Sequence, residues 1–473
     1  MRRLLFSLFL IFPLVFTGCG KKQRETKNRH INIIIPKYPL TFNPQLATDM
    51  LSSDILYPLY NSLFSYDKKG EIVPDIIKEY NWINKRLFSF KIKRNLCFSD
   101  GEPINNKTIV ENLKYFIDKN RNFPYSSQFD FIDNMMIKNK RVNIYLKYPF
   151  APLLSYLTIK IIPEKFLGEN KIIPSSTGFI IINKTKTGFS YKSEGKQYDF
   201  QVCPDEITAA LKLMNNEADI LYGFKIDSNK FKKKGINSKK YILNSLYYLV
   251  FNMRNKKFKK YENRCLIKRI LNFDNIYKIL DNQYHYSFYP ILNPVFKIED
   301  GIKTDYSCSG DLKTVKILVN SESELRKKYA EVIKFMFEQA DIKTDIISLE
   351  YGIYLKRLKK GNFDIALGAY VFDYDPDQRD IWKTKGLMNY SGFSDKEIDK
   401  LLDKGVTILE RNKRVALYNS VYKKIMKQIP VIFLPSPLYS IYHRQGVRIE
   451  IPELVHSNSS VLSYLKKWSK RDL

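Results

Sequence analysis

Two runs without a charged residue, YYLVFN at 247–252 and VIFLP at 431–435, constrain this chain more than any other feature. Runs this apolar, this short and bounded by polar stretches read as strands of a buried sheet. Between them, VKILVN (315–320), the helical pattern RKKYAEVIKFMFEQA (326–340), IKTDIISL (342–349) and FDIALGAY (363–370) alternate as strands and helices do in an α/β unit. The two apolar strands therefore flank a self-contained α/β unit. A chain of 473 residues is too long for one core, so this unit implies at least one other domain.

The first nineteen residues, MRRLLFSLFLIFPLVFTGC, hold two arginines, an apolar run and small residues before Cys19. That is the pattern of a secretory signal, too short for a spanning helix. It resembles a bacterial lipoprotein signal, which implies a lipid on Cys19 and a membrane anchor. Residues 20–30, GKKQRETKNRH, then read as a flexible tether. No later segment has about 18 uncharged apolar residues, so the mature body is expected outside the cytoplasm, in the periplasm or cell envelope. That compartment permits a disulfide among Cys97, Cys203, Cys265 and Cys308, but their wide spacing fits no zinc pattern, and buried free thiols are expected.

The formal charge is +30, from 79 Lys and Arg against 49 Asp and Glu. The basic residues are scattered and accompany abundant Asn, Ile, Tyr and Phe, a skew that codon bias produces, so nucleic acid is not expected as a partner. The basic connector at 254–260 reads as a solvated face. There is no G-x-S-x-G, no H-E-x-x-H and no phosphate-cradling glycine loop, and His30, His285, His443 and His456 form no motif. Neither an enzyme nor a cofactor is indicated.

Several segments taken in order resemble the solute-binding proteins of peptide ABC transporters, the oligopeptide- and dipeptide-binding family. They are TFNPQLATDMLSSDILYPLYNSLFSYDKKGEIVPDI (41–76), FSFKIKRNLCFSDGEPINNKTIVENLKYF (88–116), STGF (176–179), DEITAALKLMNNEADIL (205–221), YYLVFNM, FDIALGAYVFDYDPD and the segment 389–435. Within them, Asp100-Gly101 and Gly178 read as turn chemistry, and 53–65 as a helix capped by Ser53 or Asp54. The resemblance implies an α/β fold of two lobes with mixed sheets, hinged on two crossover strands and closing over a ligand. It divides the chain into lobe I (31–251, with an extra subdomain at about 67–163), lobe II (252–434) and a return to lobe I (435–473), with Asn252 as a hinge residue. It also implies a monomer that hands short peptides to an ABC permease and ATPase. Other cargo of the same fold, such as a nickel chelate, haem or cell-wall peptide, is the alternative, as is a basic surface lipoprotein binding polyanions.

The stretch GAYVFDYDPDQRD (368–380) carries four acids, Asp373, Asp375, Asp377 and Asp380. Its D-x-D-x-D spacing resembles a calcium loop, but Gln378 and Thr384 stand where Gly and Glu are required, so no metal is expected. Carboxylate catalysis needs a second acid across a cleft at a set separation, a distance the sequence does not supply. The resemblance implies that Asp373 pairs with the α-ammonium of a peptide. Gly368, Ala369, Tyr370, Val371 and Phe372 would then offer main-chain groups to the peptide, with Tyr370 walling the pocket where many members have Trp. Residues 38–43 are expected near the cleft, and Asp375, Asp377 and Asp380 as turn or solvent-facing acids.

Overall fold

The apolar strands sort into two sheets. In the computed structural model, which describes residues 30–47, 49–118, 129–224, 226, 235–280, 284–285, 287, 309–455 and 461–470, the first sheet has eight strands. At its heart His30–Ile35 runs parallel to Lys196–Val202 and to Ile220–Leu221. Ile236–Leu243 and Tyr439–Arg444 pair antiparallel beside them. The second sheet has five strands, in the order Lys343–Leu349, Thr314–Asn320, Ile365–Val371, Ser245–Phe251, Val431–Leu434. The first three are parallel, and Ser245–Phe251 is antiparallel to both neighbours. Ser245–Phe251 buries Leu246, Tyr248 and Val250 in one core and Leu249 and Phe251 in another. A strand covered on both faces has no position for a charge, which explains the uncharged run.

The chain crosses from the first sheet to the second between Leu243 and Ser245, and returns between Leu434 and Tyr439. The strand expected to end lobe I at 251 thus lies inside lobe II, and the division falls at Asn244. The apolar run showed that the strand was buried but not in which sheet. Asn244 is fully buried, and its amide donates to the Phe372 carbonyl at 2.8 Å. Asn252, expected at the hinge, sits at the far end of the strand from the crossover. Its amide donates to the carbonyls of Gly361 (2.7 Å) and Phe363 (2.8 Å), so it braces a turn within lobe II.

A four-stranded antiparallel sheet, Ile77–Asn84, Leu87–Ile92, Arg141–Leu146 and Ile132–Lys138, forms its own core spanning Leu63 to Ile161, joined by Val406 of lobe II. The helix expected over 53–65 is shorter and earlier. Asp49 caps Met50–Leu56, and a 3-10 turn holding Pro58 ends it. Helix Glu324–Glu338 starts at the Ser323 cap just beyond strand Thr314–Asn320 and buries Tyr329, Ala330, Ile333, Met336 and Phe337 on one side, the spacing of an amphipathic helix. After its return the chain seats Val461, Leu462, Leu465 and Trp468 in the first-lobe core.

Cys203 is a buried free thiol, Cys97 an exposed one, and Cys265 is disulfide-bonded, against the expectation of free thiols. Cys19, the signal and tether up to residue 29, Cys308 and His456 lie outside the described residues. Among the described residues no helix is long and apolar enough to cross a membrane.

Candidate functional site

In sheets with parallel strands, ligands collect beyond the carboxyl ends, where loops diverge and helices begin. Here the carboxyl ends from both lobes meet at one cavity of about 590 Å³. Pro36 and Lys37 follow His30–Ile35, Tyr222 to Phe224 follow Ile220–Leu221, and Glu324, Leu325 and Lys328 open the helix after Thr314–Asn320. The returning crossover closes it with Pro437 to Ser440. On the first-lobe wall, the carboxylate of buried Asp54 accepts from the Tyr222 hydroxyl at 2.7 Å.

Arg326 stands in the first turn of helix Glu324–Glu338, and its Nε is buried with no hydrogen-bond partner among the described residues. Burial raises the pKa of Tyr247, Tyr354 and Tyr439, and the charge of Arg326 partly offsets that rise at each. The guanidinium charge is thus felt by phenols of both lobes, and a buried guanidinium N–H without a partner is a setting for an anion.

Strand Ile365–Val371 delivers the expected residues in two groups. Gly368, Tyr370 and Phe372 face the lobe II core. The Tyr370 ring stacks on Tyr248 at 4.1 Å and its hydroxyl bonds to the Met388 carbonyl at 3.4 Å, so it is a core residue and not the pocket wall expected from sequence. Gly368 is glycine for want of space, because a Cβ there would lie 2.3 Å from the Tyr248 hydroxyl. Ala369 and Val371 alternate onto the opposite face, with Val371 65% exposed. Strand Thr314–Asn320 pairs with this strand only through Ile365 and Ala366, so among the described residues no strand covers 367–371 on that side. The Leu367 carbonyl accepts from the Tyr354 hydroxyl at 2.7 Å, so the main chain placed to receive an added strand is that of 368–371.

Of the four acids, two are consumed by arginines. Buried Asp375 forms a bidentate pair with buried Arg414, both contacts 2.6 Å. Burial alone would lower the Arg414 pKa, but the Asp375 charge holds it above the usual guanidinium range. Asp377 forks Arg379 at 2.9 and 3.2 Å from Nε, while burial pushes its own pKa up. Both make the turn bonds expected from sequence, Asp375 Oδ1 accepting from the Asp377 N–H at 2.9 Å and Asp377 Oδ1 from the Arg379 N–H at 3.3 Å, but neither faces solvent. Asp380 is exposed, and so is Asp373. The Asp373 Oδ1 accepts from the Tyr66 hydroxyl at 2.6 Å and from the Asp375 backbone N–H at 3.2 Å. Tyr66 belongs to the first lobe, so this bond crosses the seam between lobes. The seam also holds the Glu71–Arg411 pair at 2.8 and 2.9 Å and the Ala151 N–H on the Val406 carbonyl at 2.6 Å.

Tyr66, Arg326 and Asn244 were not singled out from sequence. Nothing local marks them, since each acquires its place from strands or helices far away in the chain.

The fold agrees with the comparisons. The oligopeptide-binding protein AppA of Bacillus subtilis is 23% identical over 467 residues, 84% of each chain. Its structure in complex with a nonapeptide superposes with a TM-score of 0.74 at 18% identity, covering 94% of this chain and 100% of that one. NikZ from Campylobacter jejuni in complex with Ni(L-His) has a TM-score of 0.74 at 16% identity, over 94% of this chain and 100% of that one. Residues 71–390 match the model for the middle region of the bacterial extracellular solute-binding proteins, family 5. Those structures are two-lobed, as this one is, and the chain belongs to that family of solute-binding proteins.

Proposed function

We propose that this protein captures short peptides outside the cytoplasm and delivers them to an ABC permease, working as a monomer tethered by a lipid on Cys19. The observation that carries the reading is the exposed Asp373 just past the uncovered main chain of 368–371. An ammonium enclosed by closing lobes loses its hydration, and a fixed carboxylate offsets that loss. Main-chain bonding to Ala369 and Val371 ignores side chains, so broad sequence tolerance follows. Arg326 is the counterpart for the ligand carboxylate. No chemistry on the ligand is called for.

Native mass spectrometry of the protein purified without its first 29 residues should show co-purified peptide masses, and a chelate or haem mass would transfer the proposal to another cargo. Calorimetry with a random tripeptide library should give heat that Asp373→Ala reduces at least about tenfold in affinity, the loss of one charge-assisted pair. An Asp373→Ala variant binding as tightly as the native protein overturns the assignment of the ammonium site.

A further inference from the structure

We infer that Tyr66 is a positioning residue for ammonium recognition, reaching across from the opposite lobe to fix the carboxylate of Asp373; this rests on the reading of Asp373 given above. Donors from both lobes converge on Asp373 Oδ1, the Tyr66 hydroxyl at 2.6 Å and the Asp375 N–H at 3.2 Å. The second donor is itself anchored, because the Asp375 side chain is locked to Arg414. The first is anchored too. The Tyr66 ring meets Tyr374 edge to face at 5.1 Å, and strand Phe64–Tyr66 is paired with Ile72–Pro74. A carboxylate on an exposed residue ordinarily rotates among rotamers, and one held from two directions does not. The hydroxyl remains a donor at all working pH, because burial and the neighbouring Asp373 charge hold its pKa well above 10. A phenol-to-carboxylate bond of this length is charge-assisted and among the stronger protein hydrogen bonds.

The bond can form only when the lobes are together, since Tyr66 and Asp373 sit on different ones. Orientation of the ammonium acceptor and closure of the cleft are therefore completed in one step. A ligand with a free amine gains from both, and a ligand without one gains from closure alone. This separates Tyr66 from the other seam contacts, Glu71–Arg411 and Ala151–Val406, which touch no ligand-facing group.

The test is calorimetry of Tyr66→Phe, which keeps the ring, with a random tripeptide library and the same library N-acetylated. The ratio of the two affinities should fall about tenfold relative to the native protein, with the N-acetyl affinity reduced no more than about threefold. In an Asp373→Ala background Tyr66→Phe should change that ratio no further. Equal losses for both libraries would make Tyr66 a simple clamp and overturn the inference, as would an unchanged or increased ratio. If Asp373→Ala leaves the ratio intact while Tyr66→Phe lowers it, the ammonium site lies elsewhere and the reading of Asp373 fails, separately from the role of Tyr66.

Discussion

Within five residues the acids 373, 375 and 377 do different work, and the difference lies in their partners. Asp375 and Arg414 are 9% and 7% exposed and face each other bidentately. Removing one member strands a charge in a low-dielectric interior, so Asp375→Ala should cost about 3–5 kcal/mol in a denaturant melt. Replacing both, as Asp375→Leu with Arg414→Met, should recover most of that loss, because the pair also carries a desolvation cost. Asp373→Ala should cost less than Asp375→Ala, about 1–2 kcal/mol, since the side chain itself is exposed and the loss is that of its bonds to the Tyr66 hydroxyl and the Asp375 N–H. Sequence resemblance could single out Asp373 among the acids. It could not show that Asp375 is neutralised from 39 positions away, because that pairing depends on how helix Arg411–Lys427 packs, and no local pattern encodes it.

The strand Ile365–Val371 was legible as a strand, yet its two halves have different roles that only the sheet order reveals. Its first two residues have neighbours on both sides, while 367–371 has one only on the Ser245–Phe251 side among the described residues. The alternation in IALGAYV says which residues share a face, but not which face is core. The resemblance places Tyr370 in the pocket, whereas it belongs to the core. The glycine at 368 belongs to the same packing. Gly368→Ala should destabilise by about 1–3 kcal/mol through overpacking, because the added carbon meets the stacked and buried Tyr248 ring. Thermal melting would measure it, and an unchanged melting temperature would show that Tyr248 can move aside. The two apolar runs were likewise correctly seen as core strands. The lobe of the first run was not, because Ser245–Phe251 and Ile236–Leu243 are separated by a single residue, Asn244, and nothing in composition marks the change of sheet.

For the molecule as a whole, affinity is set partly by contacts that never touch the ligand. Two chain crossings, at Asn244 and between Leu434 and Tyr439, join the lobes, and the Glu71–Arg411 pair bridges them at the seam. That pair is solvent-exposed, 40% and 51%, so its worth is that of a surface ion pair. A contact made only in the closed form favours every ligand by the same factor, since it acts on the closing equilibrium and not on recognition. Arg411→Ala should therefore weaken free-amine and N-acetylated peptides equally, by at most about fivefold. Raising the salt should reproduce the effect on the native protein and have little further effect on the variant. Calorimetry at low and high salt checks this. An effect confined to free-amine ligands would mean that Arg411 acts through Asp373, and a loss beyond tenfold would mean that the seam carries far more of the closing energy than one exposed pair can supply.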